Sequence, residues 1–279
     1  MPEKPASADG YGPDHLLRAR ATCLHVATLL GDFLEDLVVI GGVVPSLLIE
    51  PGSLPSGAEV HVGTLDLDVG LALALLEEKR YQEISDRLRR SGFRQDENEE
   101  GQPIRQRWVY DSGAGVAIDF LISPSSHGEP GGSIKSLEAD FAAIVAPGLH
   151  LAFRDRKKIH LCGDTLRGER AEREIGVCGA GAYVALKALA FAGRGENKDA
   201  YDLFYVLRNF EEGPKSVAEA YRPLLDDARA REARELLRRD FDGPEDLGPR
   251  RVLTFLDREG DEGLAADVSG FARDFLEAL

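Results

Sequence analysis

An alternating run between residues 64 and 72 restricts the fold of this chain more than any other feature. Its leucine and valine side chains alternate with Asp66 and Asp68, which is the two-residue period of a β-strand. In such a strand both carboxylates project from one face, while the apolar side chains project from the other. Because two like charges this close repel each other, the pair predicts either a solvated strand end or a site for a divalent cation.

The segments before this strand predict a helix, then a strand, a tight turn and a second helix. A helical stripe of leucines and alanines covers about residues 14–37, and a β-branched run then ends in Gly41 and Gly42. The second helix carries Pro45 in its first turn, where the missing N–H costs least. Residues 50–62 are rich in Gly, Pro and Ser and predict a loop.

The segments after the acidic strand continue the alternation of helices and strands. Residues 75–92 predict an amphipathic helix that ends at a glycine. Two β-rich runs, at 105–110 and 116–122, flank the turn sequence DSGAG and predict a hairpin. We also expect a short strand pair formed by residues 149–153 and 157–161.

From about Gly179 to the last residue the patterns are helical. We therefore predict an α+β protein of two domains. Residues 1–170 form a mixed sheet flanked by helices, and residues 171–279 form a helical C-terminal domain.

Composition and charge exclude several classes of protein. A chain of 279 residues with 43% hydrophobic residues is large enough for a buried core and is not typical of a disordered protein. No apolar run approaches the roughly 20 residues that a bilayer requires, and the first residues do not resemble a secretory signal. We therefore expect a cytoplasmic protein without a membrane partner. Cys23, Cys162 and Cys178 lack the spacing of metal ligands, so we expect them to be buried or half-buried.

The formal net charge of −15 disfavours sequence-blind binding of nucleic acid over the whole surface. A nucleic-acid partner would need a local basic patch. Basic residues do cluster at 79–94 and again at 154–158, although a solvated face with ordinary ion pairs is the alternative explanation.

A third carboxylate, Asp119, lies within the apolar second strand of the predicted hairpin, where an unpaired charge would be costly. It either pairs with Arg105 or Arg107 on the first strand or joins Asp66 and Asp68. Three converging carboxylates would form the site that phosphoryl transfer uses, with two Mg²⁺ ions roughly 3.5 to 4 Å apart. The backbone amides at the glycine turn could then hold a triphosphate, although a pair of glycines is more often a tight turn alone.

Four segments carry a resemblance to a known family: IGG at 40–42, GTLDLDV at 63–69, AIDFL at 117–121 and ALKALAFAGRGENKDAYDL at 185–203. In these segments the sequence resembles the nucleotidyltransferase superfamily with the polymerase-beta-like fold. Within it, the sequence is most similar to the AbiEii-type proteins of bacterial toxin–antitoxin systems. The four segments span most of the first 210 residues.

The resemblance implies roles for individual residues. Asp66 and Asp68 would bind both metal ions, while Asp119 would bind the catalytic metal and help to deprotonate the attacking hydroxyl. Gly41 and Gly42 would cradle the β and γ phosphates of a nucleoside triphosphate.

The resemblance also maps basic residues of the helical segment onto Lys187 and onto the pair Lys198 and Asp199. The residues alone leave another explanation open for this pair. Lys198 could form an ion pair with Asp202 four residues on, and Asp199 suits the first turn of a helix.

Two features depart from the superfamily's pattern. Many members carry a serine after the first glycine as a phosphate ligand, whereas Gly42 has no hydroxyl; Thr64 or Ser46 could supply it instead. The segment between Gly42 and Asp66 is also longer than usual, and the sequence does not decide whether its loop folds outward or shapes the choice of acceptor.

The function predicted from the sequence is that of a Mg²⁺-dependent nucleotidyltransferase that moves NMP from an NTP to an acceptor hydroxyl. The resemblance favours a toxin that acts on RNA, at the 3′ end of tRNA, with residues 79–94 as the landing surface and a cognate antitoxin as a further partner. Transfer to a protein or to an aminoglycoside-like small molecule stays open.

Two readings of other classes also stay open. A catalytically silent binding module would fit the missing hydroxyl at Gly42, but the three intact aspartates argue against it. Sugar-nucleotide transferases also use Asp-x-Asp, yet they normally place a longer nucleotide-binding unit before it and need no aspartate on a following hairpin.

Overall fold

Short runs of β-branched and aromatic residues form a single mixed sheet of nine strands in the computed structural model, which describes residues 5–54, 58–72, 78–113, 115–125 and 129–279. The strands are β1 (Leu37–Ile40), β2 (Asp66–Leu71), β3 (Phe93–Glu97), β4 (Pro103–Tyr110), β5 (Ala117–Ile122), β6 (Ile134–Glu138), β7 (Phe141–Val145), β8 (Arg156–Asp164) and β9 (Arg170–Cys178).

Helices cover this sheet and make up the C-terminal part of the chain. The α-helices are α1 (Pro13–Leu29), α2 (Val44–Leu48), α3 (Glu78–Arg90), α4 (His150–Arg154), α5 (Ala180–Arg194), α6 (Asn197–Asn209), α7 (Pro214–Tyr221), α8 (Ala228–Phe241), α9 (Leu247–Phe255) and α10 (Glu262–Ala278).

The strand order places the acidic strand inside the sheet. The order is β3-β4-β5-β2-β1-β9-β8, and β7 joins the hairpin partner β6 to the end of β5. Strand β2 lies parallel to β5 and antiparallel to β1, while β1 lies parallel to β9. Both long edges of β2 are therefore paired, so its position is fixed from two sides.

The core is continuous from the sheet into the helices. Leu67 of β2 and Ile118 and Phe120 of β5 are fully buried. Trp108 of β4 packs near Phe141 of β7 on the same side of the core. This packing holds the strands that carry the polar face in a fixed register.

The structure confirms the main predictions about the fold. A mixed sheet is flanked by helices, and only helices follow Cys178 in the part of the chain that is described. Strands β4 and β5 form the predicted antiparallel hairpin. Pro45 lies in the first turn of α2, directly after the glycine turn. Among the described residues, no helix has both the length and the apolar composition needed to cross a membrane.

The prediction of a strand pair from residues 149–153 and 157–161 was wrong. The first segment forms the short helix α4, and the second belongs to β8, whose partner is β9. A short apolar run does not distinguish a buried helical turn from a strand, which explains the error. Strands β3, β6, β7 and β9 were not predicted. Of these, β3 is mostly polar, and β6 is mostly exposed or half-buried.

Two further predictions need correction. The helix expected over residues 14–37 ends at Leu29, and a 3₁₀ segment leads from there to Leu37, the first residue of β1. Cys23 and Cys178 are buried as expected, but Cys162 is exposed on the edge strand β8. Three predicted parts lie outside the described residues: residues 55–57 of the loop, residues 75–77 of the helix and residue 114 of the hairpin turn.

The division into domains at residue 170 stays a prediction. Residue 170 begins β9, which continues to Cys178 and pairs with β1 and β8. We propose that the helical part begins after this strand, at α5.

Candidate active site

One row of residues across the sheet brings the third carboxylate beside the first two. In the parallel pairing of β2 with β5, Asp68 lies directly opposite Asp119. Asp66 projects from the same face of β2, two residues earlier. One oxygen atom from each of the three carboxylates lies within 4.8 Å of the others. The convergence that the sequence predicted is therefore present.

The sequence forms this arrangement through simple alternation. Leu67 on β2, and Ile118 and Phe120 on β5, point into the apolar core and fix which way the strands face. The aspartates must then lie on the opposite face. Asp66 and Asp119 are buried there, and Asp68 is half-buried.

This donor set fits a divalent cation of the Mg²⁺ type. Hard cations bind carboxylate oxygens, and three carboxylates that share one small volume repel each other unless positive charge is present. Asp66, Asp68 and Asp119 form the one cluster of this kind among the His, Cys, Asp and Glu residues that the structure describes.

A positive charge from the chain itself lies beside these carboxylates. Arg107 of β4 is directly opposite Asp119, and its Nε donates a hydrogen bond of 2.8 Å to Asp119 Oδ1. Its Nη2 donates to Asp119 Oδ2 and lies 3.8 Å from Asp66 Oδ2. The hydrogen bonds to Asp119 raise the pKa of Arg107, so the guanidinium stays charged. Both explanations left open for Asp119 thus hold at once: it is paired with Arg107 and it joins the acidic cluster.

The glycine turn lies against the acidic cluster at the end of β1. Gly41 has φ +73°, and a Cβ atom there would lie 1.9 Å from Asp68 Oδ2. A Cβ atom on Gly42 would lie 2.7 Å from Thr64 Oγ1 and 3.3 Å from Lys198 Nζ. Both positions therefore require glycine, because functional side chains occupy the adjacent space.

Thr64 lies where a side chain of residue 42 would otherwise be. Its hydroxyl donates a hydrogen bond of 2.9 Å to Asp66 Oδ1. Ser46, the other residue that could supply the hydroxyl, instead donates to the carbonyl oxygen of Val43, at the end of the glycine turn. The Thr64 hydroxyl is the nearest atom to the position that a Cβ of residue 42 would take.

Helices α5 and α6 contribute a buried cluster of charges. Lys187 donates to Asp199 Oδ1 at 2.8 Å and to Asp202 Oδ2 at 2.6 Å. Arg194 binds both oxygens of Asp199, and Lys198 donates to Asp202 Oδ1 at 2.6 Å. Three cations thus surround two carboxylates, which leaves this cluster with a net positive charge beside the glycine turn.

The cluster keeps its charges in spite of burial. Burial alone would raise the pKa of Asp199, but Lys187 and Arg194 outweigh it and lower the value to about 2. Burial likewise opposes the charge on Lys187, yet Asp199 and Asp202 raise its pKa. Lys187, Asp199 and Asp202 are therefore ionised at neutral pH, whereas burial lowers the pKa of Lys198.

His61 completes the cluster in its neutral form. The Gly63 N–H donates to His61 Nδ1 at 3.1 Å, so the ring proton lies on Nε2 and is directed at Asp202 Oδ1, 2.8 Å away. Burial lowers the pKa of His61 to about 4, and the neighbouring lysines lower it as well. His61 lies outside helices and strands, and its hydrogen bond to Asp202 fastens this loop to α6.

The structure places the predicted site residues in two groups that meet at the glycine turn. Asp66, Asp68 and Asp119 form the first group, and the lysines with Asp199 form the second. Lys187 and Asp199 contact each other rather than facing open space, and Lys198 is the lysine that approaches Gly42. The predicted pairing of Lys198 with Asp202 is present.

Sequence reasoning missed the part played by Arg194, although this residue lies within the quoted segment 185–203. The glycine that follows it ends α5 in the left-handed conformation, with φ +66°. A charged residue just before such a helix end, followed at once by a second helix, was the signal available in the sequence.

The basic residues of the predicted landing surface are mostly neutralised by acidic neighbours. Every arginine of this segment forms at least one ion pair, on side chains that are largely exposed. The pairs are Arg80–Asp36, Arg87–Asp32, Arg87–Glu83, Arg89–Asp86, Arg89–Asp140, Arg90–Asp86 and Arg94–Asp111. These pairs are the alternative that the sequence left open for this segment, and binding of RNA to it stays a prediction.

A mixed sheet with three converging carboxylates, a glycine turn and a cationic helix pair defines the class of nucleotidyltransferases. The family model described as "Nucleotidyl transferase AbiEii toxin, Type IV TA system" matches residues 64–279. The chain therefore belongs to the AbiEii nucleotidyltransferase toxin family and is a nucleotidyltransferase. Membership implies a nucleoside triphosphate as substrate and an antitoxin as partner. A comparison with curated proteins gave no match.

Proposed function

We propose that this protein transfers a nucleoside monophosphate from an NTP to a hydroxyl at the 3′ end of tRNA, with Mg²⁺ held by Asp66, Asp68 and Asp119. The observation that carries the proposal is the convergence of these carboxylates within 4.8 Å on adjacent strands. When bound, the metal supplies positive charge for the transferred phosphoryl group and for the attacking oxygen.

The chain's own residues would position the triphosphate. Gly41 and Gly42 lie beside the acidic cluster, and Asp68 and Thr64 fill the space that side chains at these positions would need. Lys198 approaches the same turn and would neutralise the phosphates, while Lys187 binds Asp202, the carboxylate that orients Lys198. Such prearranged charge acts without reorganisation during the reaction.

The Thr64 hydroxyl would serve as a phosphate ligand in place of a serine at position 42. Its position next to Gly42 and its hydrogen bond to Asp66 support this role. Asp119 would help to deprotonate the acceptor hydroxyl, as the family resemblance implies. A cognate antitoxin would counteract the activity of this enzyme in the cell.

Labelled nucleotide transfer tests the proposal. The protein is incubated with each α-labelled NTP, Mg²⁺ and total tRNA, and the products are separated by size. We expect label in a tRNA-sized band, lost by a factor of roughly 10³ in Asp68→Asn. Asp164→Asn is the matched control, since Asp164 is an exposed carboxylate at the far edge of the sheet.

The other outcomes distinguish the remaining functions. Label on a protein or on a small molecule would support nucleotidyl transfer but would show that the acceptor is not tRNA. If no label is transferred and no NTP binds in a metal-dependent way, the chain is a binding module and the proposal is wrong.

A further inference from the structure

Arg107 lies between two of the carboxylates that would share a metal ion. Its Nη2 donates to Asp119 Oδ2 and is 3.8 Å from Asp66 Oδ2, while its Nε binds the other oxygen of Asp119. One nitrogen atom of Arg107 thus contacts Asp119 and lies near Asp66, two of the carboxylates that would hold a metal ion.

Because these side chains are largely buried, it would be costly in free energy to leave the carboxylates there without a positive charge. The side chains of Arg107, Asp66 and Asp119 are 9%, 7% and 6% exposed. Three carboxylates within 4.8 Å repel each other strongly where water is scarce. A guanidinium is suited to the place, because it stays charged and binds a carboxylate at two points.

Neighbouring Arg105 shows that this contact is specific to position 107. Arg105 lies two residues earlier on β4, and its guanidinium binds the Ala139 carbonyl oxygen and Ser136 Oγ instead. The register of β4 with β5 sets Arg107, and not Arg105, opposite Asp119. Of these two arginines, the sheet therefore places Arg107 beside the acidic cluster.

We propose that Arg107 is a positioning residue that takes the place of the metal in the metal-free protein and must release Asp119 when a divalent cation binds. This inference rests on the proposed function, since it requires that the three carboxylates bind metal. Arg107 then keeps the cluster assembled before the metal arrives and lowers the affinity for it. Metal binding becomes an exchange of one cation for another.

Titration with Mn²⁺, with free Mn²⁺ followed by electron paramagnetic resonance, tests the exchange. We expect Arg107→Gln to bind Mn²⁺ roughly tenfold more tightly than wild type, because a repelling charge at about 4 Å is removed. Arg107→Lys should show a smaller gain, since lysine keeps the charge but loses the two-point contact. Arg105→Gln is the matched control and should bind Mn²⁺ as wild type does.

Thermal unfolding gives a second readout that does not depend on activity. Without metal, Arg107→Gln should have a lower Tm than wild type, and saturating Mn²⁺ should raise its Tm by more than it raises that of wild type. An arginine that merely supported the hairpin would lower the Tm of both forms and leave Mn²⁺ affinity unchanged or weaker.

The outcomes separate this inference from the proposed function. In one outcome, Asp68→Asn abolishes Mn²⁺ binding, whereas Arg107→Gln and Arg107→Lys leave it unchanged or weaker. That result would contradict the exchange of cations and would support the metal site. Absence of Asp68-dependent binding in every variant overturns both. If Arg107→Gln does not fold, the comparison of Arg107→Lys with wild type decides.

Discussion

The space around Gly42 is shared between that residue and Thr64. A Cβ atom on Gly42 would lie 2.7 Å from Thr64 Oγ1 and 2.9 Å from Thr64 Cβ, closer than ordinary contacts allow. A serine at position 42 and a threonine at position 64 thus exclude each other. The chain therefore carries this hydroxyl on Thr64, in the segment that leads into β2, and not on the glycine turn.

This exclusion predicts the outcome of an exchange of the two residues. Gly42→Ser alone should lower nucleotidyl transfer about tenfold or more and cost about 1–3 kcal/mol of stability, because two side chains compete for one space. Gly42→Ser combined with Thr64→Gly should recover part of both losses, since the hydroxyl then returns on the turn. Steady-state transfer assays and urea unfolding measure the two effects; equal damage in the single and double variants would contradict the explanation.

Single residues of the site were predictable to the extent that their partners are close in sequence. The period of β2 placed Asp66 and Asp68 on one face without further knowledge. The preference for Thr64 over Ser46 needed the path of the loop between them, which depends on contacts of His61 and Val62 with tyrosines of α6. No pattern in the local sequence predicts such contacts.

At the scale of elements, α5 and α6 are joined by charge as well as by apolar packing. Lys187 bridges Asp199 and Asp202, which are 12 and 15 residues further along the chain. The spacing of four residues predicted Lys198 with Asp202, whereas the bridge from Lys187 depends on how the two helices fold back on each other. Periodicity within one helix therefore recovers one of the four ion pairs in this network.

Removal of the bridging lysine should destabilise the helix pair strongly. Lys187→Met leaves two buried carboxylates short of a cation, and we expect a loss of about 3–5 kcal/mol in the free energy of unfolding. Arg194→Gln is the comparison, since the Arg194 side chain is 54% exposed and its loss should cost less. Urea denaturation gives both values; a similar small loss in the two variants would show that Lys187 does not support the pair.

At the scale of the whole molecule, buried neutral histidines make stability depend on pH. Burial lowers the pKa of His61 to about 4, and burial also lowers the pKa of His25, a residue of α1 that packs against the aromatic rings of Phe93 and Tyr110. The unfolded chain binds protons on both histidines near pH 6.5, before the folded protein does. Acid therefore favours the unfolded state.

We expect the free energy of unfolding to fall as the pH drops from about 6.5 towards 4, with His61 contributing a loss of about 3 kcal/mol. Above pH 6.5 both states carry neutral histidines, so this contribution to the pH dependence vanishes. Urea unfolding at pH 7, 5.5 and 4.5 measures the slope. His61→Gln keeps a donor for Asp202 but does not titrate, and it should flatten the slope; an unchanged slope would assign the acid sensitivity to other groups.

The overall architecture was predictable because its parts follow local patterns. The hairpin of β4 and β5, the acidic strand and the helical C-terminal part each have a clear period or turn sequence. The long β8–β9 hairpin was not recognised as such, because β8 and the first half of β9 are largely polar and exposed or half-buried. The pairing of β9 with β1 joins segments that are more than a hundred residues apart in sequence.

The position of β1 in the sheet limits where this protein can be truncated. The family match begins at residue 64, but β1 lies between β2 and β9 and leads directly into the glycine turn. A fragment restricted to the matched region would split the sheet in its middle and leave two interior edges bare, which invites aggregation. It would also retain all three aspartates, so an inactive precipitate from such a fragment would say nothing about the chemistry of the intact enzyme.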